Sequence, residues 1–477
     1  MVECGVLVIV VIVVGGIYWW LKRRLSFWAH RGLAYVKPRL LMGNLRKKHH
    51  IALTIAECYT KLRVKAQLGG FYFLQRPFLL PLNTHLVGRI LTEDSSYFTH
   101  YPIECPDYGA LKRDFITIES TWRNLWTHAV DIARDFSTNI HKSVTNGQKF
   151  DAFDASLSFN VQLLATCFLG LGSKDAKLSE LEKLAQKHLK MSGFRHKKYL
   201  LRHSFPQIAS LVSLSELDDT QKSFHQLISQ ERSVGRGDKR YQRLIQITEE
   251  VNGERHREKI DLEKITRRAF GLFIAGIEAS VATTAFCMYE LAKSQDIQGK
   301  LRHEIRDILT KHSYHITYEA LANMKFMDAV IFETLRKYPP IGSTWRVTSK
   351  EYYVPNSTYI IGKGIPVVVP IYAIHHDPQH YTKPELFDPE RFTGKNFDEA
   401  ANITFMPFGR KDTICIEMHF ALIQIKLMLV SLLKQSRIVM HGEHHADALA
   451  INPKSPTLTP KNHIWLDVEK LEDSVKI

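Results

Sequence analysis

The sequence predicts a mainly α-helical protein with small β-sheets, an α+β fold formed by one large domain behind an N-terminal membrane helix. Three features of the 477 residues indicate this class. An apolar run without charge opens the chain, a helical pattern without proline covers 262–293, and two short sets of strand-like residues lie at 69–80 and 352–369. No repeat and no domain-sized linker divides the sequence, so we expect a single large body.

The first element is the apolar run at 5–21, which a basic triplet at 22–24 follows at once. Its length is near the lower limit of about 17 to 25 residues for a helix that spans a bilayer. The aromatic residues at 18–20 would lie among the headgroups, and the basic triplet predicts a cytosolic body. A cleaved signal peptide is the alternative, but the run has neither a basic start nor a small-residue cleavage site.

Beyond the anchor, Pro38 and Gly43 predict a hinge. The long helical pattern has apolar residues on most faces, which is typical of a helix buried through a large domain. The highly charged stretch at 222–257 is expected to lie in solvent. The boundaries that follow are a membrane anchor at 1–24, a basic linker and hinge at 25–45 and one large domain at 46–477.

Composition narrows the function classes. The net charge of +15 fits nucleic acid, an anionic membrane or an acidic protein partner. The basic residues are interrupted by acidic ones and no nucleic-acid-binding motif occurs, so we expect no nucleic acid partner. The six cysteines are scattered without a CxxC pair, which argues against a disulfide framework or a structural zinc site. Histidine pairs at 49–50, 375–376 and 444–445 lack convergent ligand spacing, and we expect them in solvated loops.

Three charged residues near the C-terminal third could form one network. Glu333 and Arg336 are three positions apart and therefore share a helix face, and Pro339 and Pro340 end that helix. Arg391, in the sequence DPERF, is expected to reach the same carboxylate. Two arginines on one glutamate would lock a loop against a helix. An ordinary surface ion pair is the alternative.

Cys415 closes the sequence FMPFGRKDTIC and precedes a helical pattern at 416–434. Unpaired N–H groups and the positive end of the helix dipole favour the thiolate at such a position. A thiolate suits the iron of a porphyrin as an axial ligand. The alternative is a buried, inert cysteine.

The long helical pattern contains the sequence AGIEAS at 275–280. Glycine weakens a helix, and a buried carboxylate needs a partner, so this combination is unusual in a core helix. One use is a groove in which a flat ligand or dioxygen approaches the backbone while the acid relays protons. An ordinary crossing of two helices through small residues is the alternative.

Taken together and in this order, these pieces resemble the haem-thiolate monooxygenases, the cytochrome P-450 superfamily, over nearly the whole chain. The sequences YWW at 18–20, SSYF at 95–98, YAIHHDP at 372–378 and FDPERFT at 387–393 are similar to the insect microsomal family six. The resemblance implies insertion of one oxygen atom from O₂ into a hydrophobic small molecule, with xenobiotic metabolism as the setting. It also implies haem b as the cofactor.

The same resemblance implies partners and a location. NADPH would supply electrons through an acidic NADPH–haemoprotein reductase, and cytochrome b5 is a further candidate partner. The protein would lie on the endoplasmic reticulum membrane, held by its single N-terminal anchor in the lipid, with the catalytic domain in the cytosol. The basic and aromatic stretch at 194–201 would be a second membrane contact or an ordinary surface helix.

The resemblance also implies roles for individual residues. Cys415 would be the haem-iron ligand, and Glu333, Arg336 and Arg391 would be the triad that holds its loop. The positions implied in oxygen activation are Glu278, Ala279 and Ser280. The positions implied in haem binding are Trp122, Arg123, Ala275, Gly276, Arg346, Phe408 and Gly409.

The sequence departs from the family at the haem contacts. In the cysteine loop Lys411, Thr413 and Glu417 stand where the family has Gly, Arg and Gly. Trp126 replaces an arginine that would bind a propionate, and Ala279 replaces a threonine that relays a proton to dioxygen. Neither Thr413 nor Trp126 offers a charge-assisted fork to a carboxylate.

Three hypotheses remain after these departures. The first is a monooxygenase, active or impaired. The second is a haem-binding relative that has lost oxygen activation and acts as an isomerase or a ligand-binding pseudoenzyme. The third is a membrane-tethered binding module without stable haem.

Overall fold

The computed structural model describes most of the chain. The described residues are 2–101, 125–172, 175–189, 219–229, 262–394, 403–410, 414–415, 418–442 and 449–471. Several positions singled out above lie outside them: Trp122, Arg123, 194–201, most of 222–257, Lys411, Thr413, Glu417 and the histidines at 444–445.

Helices dominate the described part, as the sequence predicts. They are α1 (Val2–Leu25), α2 (Phe27–His30), α3 (Ile51–Leu62), α4 (Thr84–Leu91), α5 (Trp126–Thr145), α6 (Ala152–Leu169), α7 (Lys177–Leu189), α8 (Asp219–Ser229), α9 (Leu262–Lys293), α10 (Gln295–Lys311), α11 (Tyr318–Asn323), α12 (Lys325–Lys337), α13 (Ile371–His375) and α14 (Met418–Leu433). Short 3-10 turns cover Ser95–Tyr97 and Pro389–Phe392.

The strands form small sheets, which confirms the mainly α class with little β structure. They are β1 (Leu68–Phe73), β2 (Arg76–Pro81), β3 (Phe98–His100), β4 (Phe150–Asp151), β5 (Thr344–Thr348), β6 (Tyr352–Tyr353), β7 (Ile360–Ile361), β8 (Pro366–Val369), β9 (Ser436–Met440) and β10 (Trp465–Lys470). The largest sheet has the order β1-β2-β8-β5-β3, with β1 and β3 at its edges. A second sheet has the order β4-β10-β9, and β6 pairs with β7 alone.

The long helix α9 runs through the main core. It packs against α6, α14 and α12, and its side chains are almost all buried from Phe273 to Ala292. A second apolar cluster lies between the largest sheet and α3. Helices α1 and α9 are both long and apolar enough to cross a membrane, but the apolar window of α9 is 78% buried inside the fold, whereas that of α1 is 6% buried. Helix α9 is therefore a core helix.

Helix α1 changes its surroundings within one turn. The apolar side chains at 6–14 and 17–20 are 46–68% exposed, whereas Leu21 is 7% exposed and Leu25 is 9% exposed. Arg23 and Arg24 lie over the rings of Trp19 and Trp20, at 5.3 and 4.8 Å from the ring centroids. The exposed part of α1 therefore ends in a group of aromatic and basic side chains. The buried part of the chain begins within the same turns of the helix, at Leu21 and Leu25.

Trp28 fixes the end of the anchor to the largest sheet. Its side chain is 1% exposed, and its indole N–H donates to the carbonyl of Phe71 at 3.3 Å. Its backbone N–H donates to the hydroxyl of Tyr72 at 3.1 Å. A Cβ placed on Gly70 would lie 2.5 Å from Cγ and Cδ1 of the indole, so only glycine leaves room for this ring. Residues 28–44, named the strap below, begin at this contact.

The rest of the strap runs along edge strand β1. The N–H of Gly70 donates to the carbonyl of Ala34 at 2.8 Å, and the N–H of Val36 donates to the carbonyl of Gly70 at 3.0 Å. Further on, the N–H of Asn44 donates to the carbonyl of Tyr72 at 2.8 Å. The expectation of a hinge in this segment is therefore corrected: turn residues are present, but the backbone between them is hydrogen-bonded to the sheet.

Candidate functional site

Cys415 is presented on a tight loop just before α14. The N–H of Cys415 donates to the carbonyl of Phe408 at 2.6 Å, which closes the loop. Gly409 inside the loop has φ +79°, a backbone conformation that glycine adopts without strain, and its N–H donates to the carbonyl of Met406 at 3.3 Å. Phe408 is half-buried against the main core. The two described parts of the loop, 406–410 and 414–415, are thus hydrogen-bonded to each other through Phe408 and Cys415.

The environment of Cys415 differs from that of the other cysteines whose burial the structure describes. Cys58, Cys167 and Cys287 are buried, whereas Cys415 is exposed. Burial raises the pKa of the thiols of Cys58 and Cys287 to about 12. A thiolate, not a thiol, is the metal ligand. Among these four, Cys415 is therefore the cysteine placed to offer a soft ligand to a group outside the chain.

The ion pair of Glu333 and Arg336 is completely buried in α12, with both side chains 0% exposed. Arg336 donates from Nε to Oε2 of Glu333 at 2.7 Å and from Nη2 to Oε1 at 2.9 Å. The same guanidinium donates to the carbonyls of His375 at 2.9 Å and Pro384 at 2.7 Å. The alternative of an ordinary surface pair is thereby excluded, because the pair joins α12 to the segment at 375–388.

Arg391 completes the cluster from the other side. Its Nε lies 3.4 Å from Oε1 of Glu333, and its Nη2 donates to the carbonyl of Lys383 at 3.1 Å. The N–H of Asp388 donates to the same Oε1 at 3.0 Å. The structure therefore brings Glu333, Arg336 and Arg391 together, and a backbone N–H shares the carboxylate with the two arginines.

His375 is a site residue that the sequence interpretation missed. The pair at 375–376 was expected in a solvated loop, but it lies at the end of α13, and the side chain of His375 is 0% exposed. The N–H of Met406 donates to its Nε2 at 3.2 Å, and its Nδ1 is 3.2 Å from the carbonyl of Arg336. His50 is also buried, where its Nδ1 accepts from the N–H of Ala52 at the start of α3. The solvated-loop expectation is therefore wrong for His50 and His375, whereas the side chain of His49 is partly exposed in the segment before α3.

One face of α9 is only partly covered by the rest of the fold. Between 269 and 292 the residues that are not buried are Gly271, Ala275, Glu278 and Ala279. Gly271 lies four positions before Ala275, and Glu278 and Ala279 lie three and four positions after it. Residues at this spacing lie on the same side of a helix. Small side chains and one acid therefore form a strip on α9, named the partly covered strip below. The other residues between 269 and 292 are buried.

Gly276 and Ser280 are buried in the packing of α9, unlike the other candidates on this helix. A Cβ placed on Gly276 would lie 3.1 Å from Cδ1 of Leu164 in α6, so this glycine serves the close crossing of two helices. Ser280 is 3% exposed, and its carbonyl accepts from the hydroxyl of Thr284 at 2.7 Å. This packing favours the helix-crossing alternative for Gly276, and the partly covered strip holds the other three candidates, Ala275, Glu278 and Ala279.

Glu278 has a partner from the C-terminal part of the chain. The hydroxyl of Thr457 donates to its Oε1 at 2.9 Å. Burial raises the pKa of this carboxyl, and His188 of α7 and the Thr457 hydroxyl oppose the rise in part. Desolvation has the larger effect, so Glu278 retains its proton at a higher pH than an exposed glutamate does.

Arg346 and Trp126 take part in local structure. Arg346 is 4% exposed in the middle of β5, and its Nη1 donates to the hydroxyl of Thr344 and the carbonyl of Trp345, both at 2.8 Å. The indole N–H of Trp126 donates to the carbonyl of Ile316 at 2.9 Å. Trp126 therefore ties α5 to the segment before α11.

Cys415 and the strip on α9 offer the chemical groups that a flat, metal-containing cofactor requires. An exposed soft sulfur belongs to Cys415, whose backbone is hydrogen-bonded to Phe408, and a strip of alanines and one protonatable acid lies on a core helix. Thiolate ligands suit iron, and apolar walls suit the faces of a macrocycle. The buried ion pair keeps the supporting segment in place without itself being accessible.

Comparison with known proteins points in the same direction. A family model described as cytochrome P-450 matches residues 112–465. A probable cytochrome P-450 6a23 of Drosophila melanogaster is 28% identical over 487 aligned residues, which cover 94% of this chain and 96% of the relative. Cytochrome P-450 6A1 of Musca domestica is 27% identical, with 94% and 95% covered. Cytochrome P-450 6j1 of Blattella germanica is 28% identical, with 96% of each chain covered.

Proposed function

Because this chain belongs to the cytochrome P-450 family, we propose that it is a membrane-anchored haem-thiolate monooxygenase that inserts one oxygen atom from O₂ into hydrophobic small molecules. Membership of this family implies an oxidoreductase that uses haem b and receives electrons from a reductase. The relatives named above have names of family six. The observation that supports the proposal most directly is the exposed Cys415 on its closed loop.

The proposed roles follow from the placement of each residue. Cys415 would hold the iron through its thiolate, and Phe408 and Gly409 would shape the loop beside it. Haem supplies the redox chemistry when bound. The cluster of Glu333, Arg336 and Arg391 would fix the segment that supports this loop, and its burial suits a permanent structural role.

On α9, Ala275 would offer an apolar wall and Glu278 would hold and release a proton at its carboxyl oxygens. The raised pKa of Glu278 suits a proton donor, since a general acid works best when its pKa lies near the operating pH. Ala279 has no hydroxyl to pass that proton on. We therefore propose that proton delivery in this chain is slow or uses water in place of a side chain.

Helix α1 supports the proposal of a membrane anchor. Its uncovered apolar length ends at tryptophans and arginines, the residue types that are enriched where a helix leaves the bilayer. An endoplasmic reticulum location with a cytosolic domain follows from the proposed partnership with a reductase. The net charge of +15 suits both an anionic leaflet and an acidic partner.

The absorbance of the reduced protein with carbon monoxide tests the proposal. We expect a red-shifted thiolate–haem band in the full-length protein in detergent, and its loss in C415S. C58S is the matched control, because Cys58 lies on the buried face of α3 and far from the loop in sequence, and it should keep the band. Absence of the band from the unmodified protein would overturn the haem-thiolate proposal.

A haem-binding relative without oxygen activation is the second candidate function. The missing hydroxyl at Ala279 and the contact of Glu278 with Thr457 favour it. Product formed per NADPH consumed, measured with added reductase, separates the two functions. We expect A279T to raise this ratio, and an unchanged or lower ratio would contradict the role given to this position.

A further inference from the structure

We propose that His375 is a positioning residue that fixes the position of the Cys415 loop relative to the buried Glu333–Arg336 pair. This inference rests on the proposed function, since it assigns the thiolate of that loop to iron. His375 contacts neither the cysteine nor any reacting atom, so its effect would pass through the backbone.

The imidazole bridges two separate parts of the fold with its two nitrogens. Nδ1 lies 3.2 Å from the carbonyl of Arg336 at the end of α12, and Nε2 accepts from the N–H of Met406 at 3.2 Å. A carbonyl only accepts and a backbone N–H only donates. The ring must therefore carry its proton on Nδ1 and leave Nε2 free to accept, a tautomer that satisfies both contacts.

The surroundings keep the ring neutral and fix its plane. Burial, together with the charges of His376 and Arg336, holds the pKa of His375 well below its usual range. The ring of Phe405 lies nearly parallel to it, with centroids 5.7 Å apart and an interplanar angle of 21°. Tyr381 meets the same ring edge-on, with centroids 6.4 Å apart. The imidazole is therefore held between aromatic rings and cannot pivot to another partner.

The backbone of His375 is fixed as firmly as its side chain. Its carbonyl accepts from Nη1 of Arg336 at 2.9 Å. Arg336 thus holds His375 twice, through its side chain and through its own carbonyl. Any displacement of the Glu333–Arg336 pair would carry His375 with it.

A short series of backbone contacts leads from His375 to the cysteine. Met406 donates to the imidazole, and its own carbonyl accepts from the N–H of Gly409 at 3.3 Å. Phe408, in the same turn, accepts from the N–H of Cys415 at 2.6 Å. Through these contacts the imidazole fixes the first residue of a loop whose last residue is Cys415.

Three substitutions separate the two hydrogen bonds. An asparagine amide reaches about as far as Nδ1, and a glutamine amide about as far as Nε2. H375Q therefore keeps an acceptor for the N–H of Met406, whereas H375N loses it and H375F loses both contacts. H376Q is the matched control, because Nδ1 of His376 bonds to the carbonyl of Tyr372 in its own helix at 2.9 Å.

The first measurement is the carbon monoxide spectrum of the reduced, full-length protein. We expect H375N and H375F to raise the ratio of haem without the red-shifted band to haem with it by roughly tenfold, the effect of one buried donor left without a partner. H375Q and H376Q should stay close to the unmodified protein. The inference is overturned if H375N matches the unmodified protein or if H376Q falls with it.

The second measurement does not depend on haem. Hydrogen exchange of the Met406 amide, followed by mass spectrometry on the full chain in detergent, should be at least about tenfold faster in H375N and H375F than in H375Q. Equal rates in all variants would refute the bridge even if one variant binds no haem. A missing red-shifted band in the unmodified protein, combined with protection of Met406 that depends on His375, would instead refute the haem proposal alone.

Discussion

The fit of Trp28 against Gly70 allows a quantitative prediction. Trp28 is 1% exposed and bonded to the carbonyl of Phe71. Removing a large buried aromatic side chain costs about 3–5 kcal/mol, so W28A should lower the free energy of unfolding by this amount. A Cβ on Gly70 would lie 2.5 Å from the indole. G70A should therefore cost about 1–3 kcal/mol by overpacking.

The two substitutions should be strongly non-additive. Once the indole is gone, the new methyl group has room, so G70A should cost close to nothing in the W28A background. Urea unfolding of the full-length protein in detergent, followed by far-UV circular dichroism, measures all four corners of the cycle. G299A is the control, since a Cβ on Gly299 of α10 meets no atom within 4 Å. The reasoning is refuted if G70A costs the same in both backgrounds or no more than G299A.

Two further predictions concern charge. R336L should lower the free energy of unfolding by about 3–5 kcal/mol, because Glu333 would lose both of its hydrogen bonds to the guanidinium in the core. R437L, which removes a half-exposed pair with Glu469, should cost less than about 1 kcal/mol in the same urea assay. Equal losses in the two variants would contradict the role of burial. Burial lowers the pKa of His376 to about 4, below the ordinary 6.5, so the unfolded chain takes up this proton first and stability falls as the pH drops from 6.5 towards 4. In H376F the loss of unfolding free energy between pH 7 and pH 4 should be smaller by about 3 kcal/mol than in the unmodified protein. Parallel pH profiles of unfolding free energy for the two proteins would contradict this role of His376.

The sequence alone predicts the parts of this fold that depend on periodicity. Helix α9 runs from Leu262 to Lys293, as its pattern indicates, and β1 and β2 pair where aromatic and apolar residues surround a short turn. The identity of the exposed cysteine also follows from its position before a helix. These features are local, because each depends on residues within one or two turns of each other.

Long-range contacts are what the sequence pattern leaves open. His375 bonds to Met406 across 31 positions, and a pair of histidines in sequence gives no sign of such a partner. The strap offers the same lesson, since proline and glycine predict turns correctly but do not show that the backbone between them pairs with β1. Gly276 packs against α6, a contact that the sequence does not show because the two helices are far apart in the chain.

The strap has a practical consequence for making a soluble form of this protein. Strand β1 stands at the edge of its sheet, and its backbone is covered by the strap through Ala34 and Val36. An uncovered edge strand invites pairing between molecules and aggregation. A truncation after Arg24 would remove the uncovered apolar length and keep Trp28 in place. A truncation at residue 40 would remove the contacts of Trp28, Ala34 and Val36 with β1 and leave only the contacts near Asn44. The tolerated starting point for shortened versions of the chain therefore lies in the few residues between Arg24 and Trp28.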